Sequence, residues 1–123
     1  MSSHTRSQRL AQAAYAQIAI HTHDGERKPE KEFVSTAKKF PALIHTCGLA
    51  QAVAFALAKK DEEYLGYLAA VLKAAGHSEI TDHRKLDEHA RKEPMTVYLR
   101  LSRDAINAAS WLKRYVEAAE EDA

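Results

Sequence analysis

YLRLSRDAINAASWLKRY, residues 98–115, is the stretch whose reading decides the fold. On a helix turning about 100° per residue, Val97, Tyr98, Leu101, Ala105, Ala108, Ala109, Leu112, Tyr115, Val116 and Ala119 share an arc of about 120°. An apolar arc held over about six turns is the mark of a long helix lying on a core along its whole length. On the other side, Arg100, Arg103, Asn107, Ser110 and Arg114 fall within roughly 80°, long cations alternating with short hydrogen-bonding groups. Guanidinium forks match phosphate oxygens, so such a face can hold a nucleic-acid backbone. The same pattern, taken alone, also describes an ordinary solvated helix face. Leu99 and Ile106 lie roughly 60 to 80° beyond the apolar arc. Either a neighbouring helix covers them or they meet another subunit.

Working outward, the rest of the chain repeats the helical period. Leu10, Ala11, Ala14, Tyr15, Ile18 and Ala19 predict a first helix over about 7–20, followed by a loop at HTHDGERKP, residues 21–29, with its Asp-Gly and proline. Phe33, Val34, Ala37, Phe40, Leu43 and Ile44 predict a second helix over about 30–45, broken near Phe40 by Pro41. Gly48 suits a left-handed cap, and LAQAVAFALAKK, residues 49–60, then gives a third helix, apolar nearly all round and expected to be the most buried. Asp61 is a candidate N-cap for a fourth helix with the face Tyr64, Leu65, Leu68, Val71 and Leu72, ending at Gly76. Residues 77–93 are polar, with Leu86 as the apolar anchor and Thr81 or Asp82 able to cap a helix of about two turns. Pro94 suits the first turn of the last helix, which is expected to run to about Ala119. No period of two persists, so the expectation is one all-α domain over 1–123: a bundle of five or six helices, a long C-terminal helix, and an acidic frayed tail over about 117–123.

Composition narrows the function classes. The formal charge is +1, from 18 basic and 17 acidic residues, but leaving out Glu117, Glu120, Glu121 and Asp122 the body carries 18 against 13. A moderately basic domain is thus masked by an acidic end. The single Cys47 rules out an internal disulfide framework and fits a reducing compartment such as the cytoplasm; it is expected as a small packed thiol. No apolar run approaches the roughly 18 residues of a membrane span, and Arg6, Arg9, Gln12 and Gln17 interrupt any leader-like core.

PALIHTCGLAQAVAFALAK at 41–59 and YLRLSRDAINAASWLKRYVEAA at 98–119 resemble the small helical subunit of the Cmr complex, the type III-B CRISPR RNA-guided effector. The elements that carry the resemblance are Pro41, Leu43 and Ile44; Gly48 and Leu49; Val53 to Leu57; Tyr98, Arg100 and Ser102; and Trp111 to Arg114. The chain departs from the pattern where Leu99 separates Tyr98 from Arg100, and in His45-Thr46-Cys47, where amide-rich residues are more usual. The resemblance implies a non-catalytic subunit without a cofactor. It implies several copies lined up with other Cmr subunits along guide RNA and target RNA, the cutting being done by a different subunit.

That resemblance implies RNA contact for Arg100, Arg103, Lys113 and Arg114; Lys113, which lies off the stripe, enters on it alone. Lys38 and Lys39 form a second basic candidate, and Arg6 and Arg9 a third. Trp111, at the edge of the apolar arc, is expected as a core indole rather than a base-stacking platform. The seven histidines invite a metal-dependent hydrolase, yet no HExxH motif is present and His83 with Asp87 supplies too few ligands. Cys47 has no positioned base, since His45 two residues away points elsewhere on a helix. A spacer that holds neighbouring subunits without touching RNA is the alternative reading.

Overall fold

The structure, a computed structural model, describes residues 3–121. Six helices follow in order: α1 (Arg6–His21), α2 (Lys31–Cys47), α3 (Leu49–Ala58), α4 (Glu62–Ala74), α5 (His83–Lys92) and α6 (Met95–Glu121). No strand occurs among the described residues, so the architecture is the expected all-α bundle with a long C-terminal helix. One cluster of buried side chains draws on all six helices. α6 is its spine: Leu101, Ala105, Ala108, Ala109, Leu112 and Val116 are buried, while Tyr98, Tyr115 and Ala119 flank them partly buried.

Local chemistry sets the helix ends. α1 starts at a capping box in which the Gln8 N–H donates to Thr5 Oγ1 (3.0 Å) and the Thr5 N–H to Gln8 Oε1 (2.8 Å). The Asp82 carboxylate caps α5 by accepting the Lys85 N–H at 2.9 Å, and Leu86 seats that short helix with no exposed surface. Asp61 precedes α4 as expected but makes no cap hydrogen bond; its carboxylate accepts the Thr36 hydroxyl at 2.8 Å and ties α2 to α4.

Four expectations need correction. Pro41 does not split α2, which runs unbroken from Lys31 to Cys47. A mid-helix proline costs about 3 kcal/mol, whereas burying Phe40 and Ile44 on either side of it returns about 1.5–3 kcal/mol each, so packing outweighs the lost hydrogen bond. Gly48 does take a positive φ of 88°, but with ψ 159° it is extended rather than left-handed helical, and it joins α2 to α3 with a single residue. α3 is not the most buried helix. Its Gln51, Ala54, Phe55 and Ala58 are exposed, and α4, with Tyr64, Leu65, Leu68, Ala69, Val71 and Leu72 buried, lies deeper. Finally, α6 continues through Glu121, because Leu112 and Val116 hold its last turns on the core. Glu117, Glu120 and Glu121 are therefore helical, and only residues 122 and 123 of the expected acidic tail lie outside the described residues.

Candidate nucleic-acid interface

The basic side of α6 forms as its spacing predicts. Arg100, Arg103, Asn107 and Arg114 are exposed, and the helix carries Arg100 to Arg114 over about 21 Å. Lys113 is half-buried beside them. None of the four cations Arg100, Arg103, Lys113 and Arg114 is ion-paired among the described residues. Ser110 drops out of the polar set, since its hydroxyl donates to the Ile106 carbonyl at 2.8 Å. The one carboxylate next to the stripe in sequence, Asp104, is turned inward at 2% exposure. There it takes hydrogen bonds from Arg6 and from His77, the latter at 2.7 Å. Burying that charge keeps the outer face cationic.

The second and third basic candidates are redistributed. Lys38 is held by Glu120 at 2.7 Å, and that hydrogen bond raises its pKa above the usual lysine value. It is a strut between α2 and α6, not a free cation. Lys39 stays exposed and without an ion pair among the described residues, on the side of α2 that meets α3 beside Phe55. Arg6 is committed to Asp104, while Arg9 is exposed and donates to the His4 carbonyl at 3.1 Å. Lys38 meets the C-terminal end of α6, so it does not join Arg100 and Arg103 near the other end.

Other sequence candidates also find their places. Ile106 packs against the core, whereas Leu99 remains 58% exposed, one turn from Met95 at 70%. Trp111 is half-buried and stacks on Tyr115 (centroids 5.9 Å apart, 21°), which meets Tyr15 edge-on at 5.5 Å. Trp111 and Tyr115 pack against the edge of the core, as expected of the indole, and with the exposed Tyr15 they form an aromatic row. Cys47 is exposed rather than packed. Three histidines have carboxylate partners: His21 with Glu63 (3.1 Å), His77 with Asp104, and His89 with Glu93 (3.0 Å). His21, fully buried and stacked on Phe33 at 3.8 Å, accepts the Glu30 N–H at Nε2, which leaves Nδ1 to donate to Glu63. Burial pushes the Glu63 carboxyl up, but hydrogen bonds from Tyr67 and His21 hold it below the usual carboxylate range. No group of three His, Cys, Asp or Glu residues is arranged to hold a metal among the described residues. No described helix is long and apolar enough to cross a membrane.

The Asp104 anchor was missed in the sequence, though a signal was there. A carboxylate three residues after Leu101 and four before Ala108 falls about 20° outside the apolar arc, between it and the basic stripe, close enough to the core to demand a buried partner.

The sequence and the fold match a known group. The model of the CRISPR-associated Cas_Cmr5 proteins matches residues 6–119. The chain belongs to the Cas_Cmr5 family. The match takes in both stretches that carry the resemblance, Pro41 to Lys59 and Tyr98 to Ala119. A Thermus thermophilus relative named CRISPR system Cmr subunit Cmr5 is 34% identical over 93% of this chain and 95% of its own length. A crystal structure of a Cmr5 family protein from Thermus thermophilus superposes with a TM-score of 0.80 at 35% identity, covering 96% of this chain and all of the other. The six-helix order and the long last helix are thus those of a Cmr5 protein.

Proposed function

We propose that this Cmr5-family chain is a non-catalytic small subunit of a type III-B CRISPR (Cmr) effector, acting in the cytoplasm in antiviral defence. Several copies line up with other Cmr subunits and support guide RNA and target RNA through phosphate contacts. One observation carries the reading: Arg100, Arg103 and Arg114 form an exposed row on α6, without ion pairs among the described residues, on a helix whose other face is locked in the core. Lys113, half-buried, lies to one side of the row, and Lys39 and Arg9 add exposed cations away from it. Lys38 contributes less, because Glu120 already answers its charge.

Such a surface reads charge and spacing rather than bases, which suits a complex whose specificity comes from base pairing with a guide. Support for the complex comes from the relative's printed name, a Cmr subunit. Exposed Met95 and Leu99 favour a second reading, a spacer that meets its neighbours without touching RNA. Salt separates the two. Electrostatic contact predicts that RNA affinity falls linearly on log–log axes, with a slope of about −0.7 per phosphate neutralised on a single strand. No binding to single-stranded or duplex RNA at low salt would favour the spacer.

A further inference from the structure

We propose that Phe55 on α3 is a stacking platform for an unpaired base of single-stranded RNA, with Lys39 and Lys59 placed to take the flanking phosphates. The inference rests on the reading that the chain touches RNA and adds a second mode of contact. The α6 stripe grips phosphates whether or not the bases are paired, whereas Phe55 requires a base free of its partner.

Phe55 lies on the outward side of α3, 52% exposed, while Leu49, Ala52, Val53 and Ala56 hold the other side of that helix in the core. The ring is therefore anchored on a fixed element and offers its surface outward. Beside it lies a notch of about 20 Å³, lined in part by Thr36, Phe40, Phe55, Lys39 and Lys59. Sites for small molecules enclose roughly 300–1,000 Å³, so this one is too small to swallow a ligand and suits a flat group lying on the ring.

Charge selects the occupant. Lys39 comes from α2 and Lys59 follows α3, and neither is ion-paired among the described residues. The Lys59 ammonium lies over the Phe55 ring, 5.5 Å from its centre, a cation–π contact that a stacking base has to displace; its flexible stem lets it swing from the ring to a flanking phosphate. Asp61 also borders the notch, but its carboxylate accepts the Thr36 hydroxyl at 2.8 Å, and the two lysines outnumber it. Once Lys59 moves aside, a half-exposed ring bordered by two cations that make no ion pair among the described residues is the combination that holds single strands: bases on the ring, backbone on the charges.

The test uses the full chain and a short single-stranded RNA carrying 2-aminopurine, whose fluorescence is quenched on stacking. Phe55→Ala is expected to abolish the quenching and weaken single-strand binding roughly five- to a hundredfold, the range for one base–aromatic stack. Phe55→Tyr should retain both, and Lys39→Glu with Lys59→Glu should lower affinity without touching α6. Because Phe55 is exposed, circular dichroism should show unchanged helicity in every variant. Duplex RNA should bind the parent and Phe55→Ala alike. If Phe55→Ala leaves quenching and affinity unchanged, or the parent never quenches the probe, the platform is overturned even where the α6 stripe still binds. If Phe55→Ala changes sedimentation but not RNA binding, the ring is a protein contact and the proposal is equally overturned. Conversely, loss of duplex binding only in an Arg103→Glu, Arg114→Glu variant reports on the stripe and leaves Phe55 to be judged by the probe.

Discussion

The His77 ring donates from Nε2 to the Asp104 carboxylate at 2.7 Å, and Arg6 reaches the same oxygen from α1. One buried carboxylate thereby ties α1, the α4–α5 connection and α6 together, next in the chain to the outward-facing Arg103. The arrangement fixes the roll of α6, and the roll decides which residues form the stripe.

Acid stability should reveal this anchor. Burial pushes the Asp104 carboxyl up, but hydrogen bonds from His77 and Arg6, together with their charges, bring it below the usual carboxylate range. With a depressed folded-state pKa, the unfolded chain takes up the proton first as pH falls. The contribution is therefore complete above the unfolded value of about 3.9 and is lost as pH drops through the lower folded value. Asp104→Asn should cost about 1–3 kcal/mol at neutral pH and flatten the acid limb of a stability profile measured by urea unfolding. An unchanged limb would show that the pair contributes nothing in solution.

Tyr64 offers a test in the opposite direction. Its ring packs against Phe40 (5.1 Å) and Phe33 (5.9 Å), while its hydroxyl is buried without a hydrogen-bond partner among the described residues, and burial raises its pKa far above the tyrosine value. An unsatisfied buried hydroxyl costs about 1–3 kcal/mol, so Tyr64→Phe should leave Tm unchanged or raise it. A clear fall in Tm on calorimetry would mean that the hydroxyl finds a partner.

Gly48 is required by its backbone rather than by crowding. Its φ of 88° with ψ of 159° is a region that residues with a Cβ avoid, yet an added Cβ would meet only Tyr98 Oη at 3.4 Å. That same hydroxyl accepts the Ala50 N–H at 3.2 Å and so helps to start α3. Gly48→Ala is expected to destabilise by about 1–3 kcal/mol through backbone strain. Chemical denaturation that shows no loss would mean that the α2–α3 corner relaxes freely.

Periodicity was enough for what lies within one helix. The arc from Leu101 to Val116 is buried as its spacing requires, and Asp82 caps α5 as its residue type requires. Partners on different helices were not legible. Nothing near Lys38 foretells Glu120, and Arg6 meets a carboxylate 98 positions away. Pro41 misled for a related reason: its local cost is fixed, while the burial of Phe40 and Ile44 that offsets it depends on the other helices. At the candidate interface, Arg100, Arg103 and Arg114 came from spacing, whereas Phe55 was hidden inside an apolar run whose outward side only the packing defines.

The proposed function turns on α6 meeting RNA through Arg100, Arg103 and Arg114, which make no ion pair among the described residues. Equilibrium binding of single-stranded RNA to the parent and to an Arg103→Glu, Arg114→Glu variant, measured across salt at matched helicity, tests it most directly. At least a tenfold loss of affinity at low salt is predicted, with a log–log salt slope shallower by about 1.4, two phosphate contacts at roughly 0.7 each. The same affinity and the same slope in both proteins would contradict it.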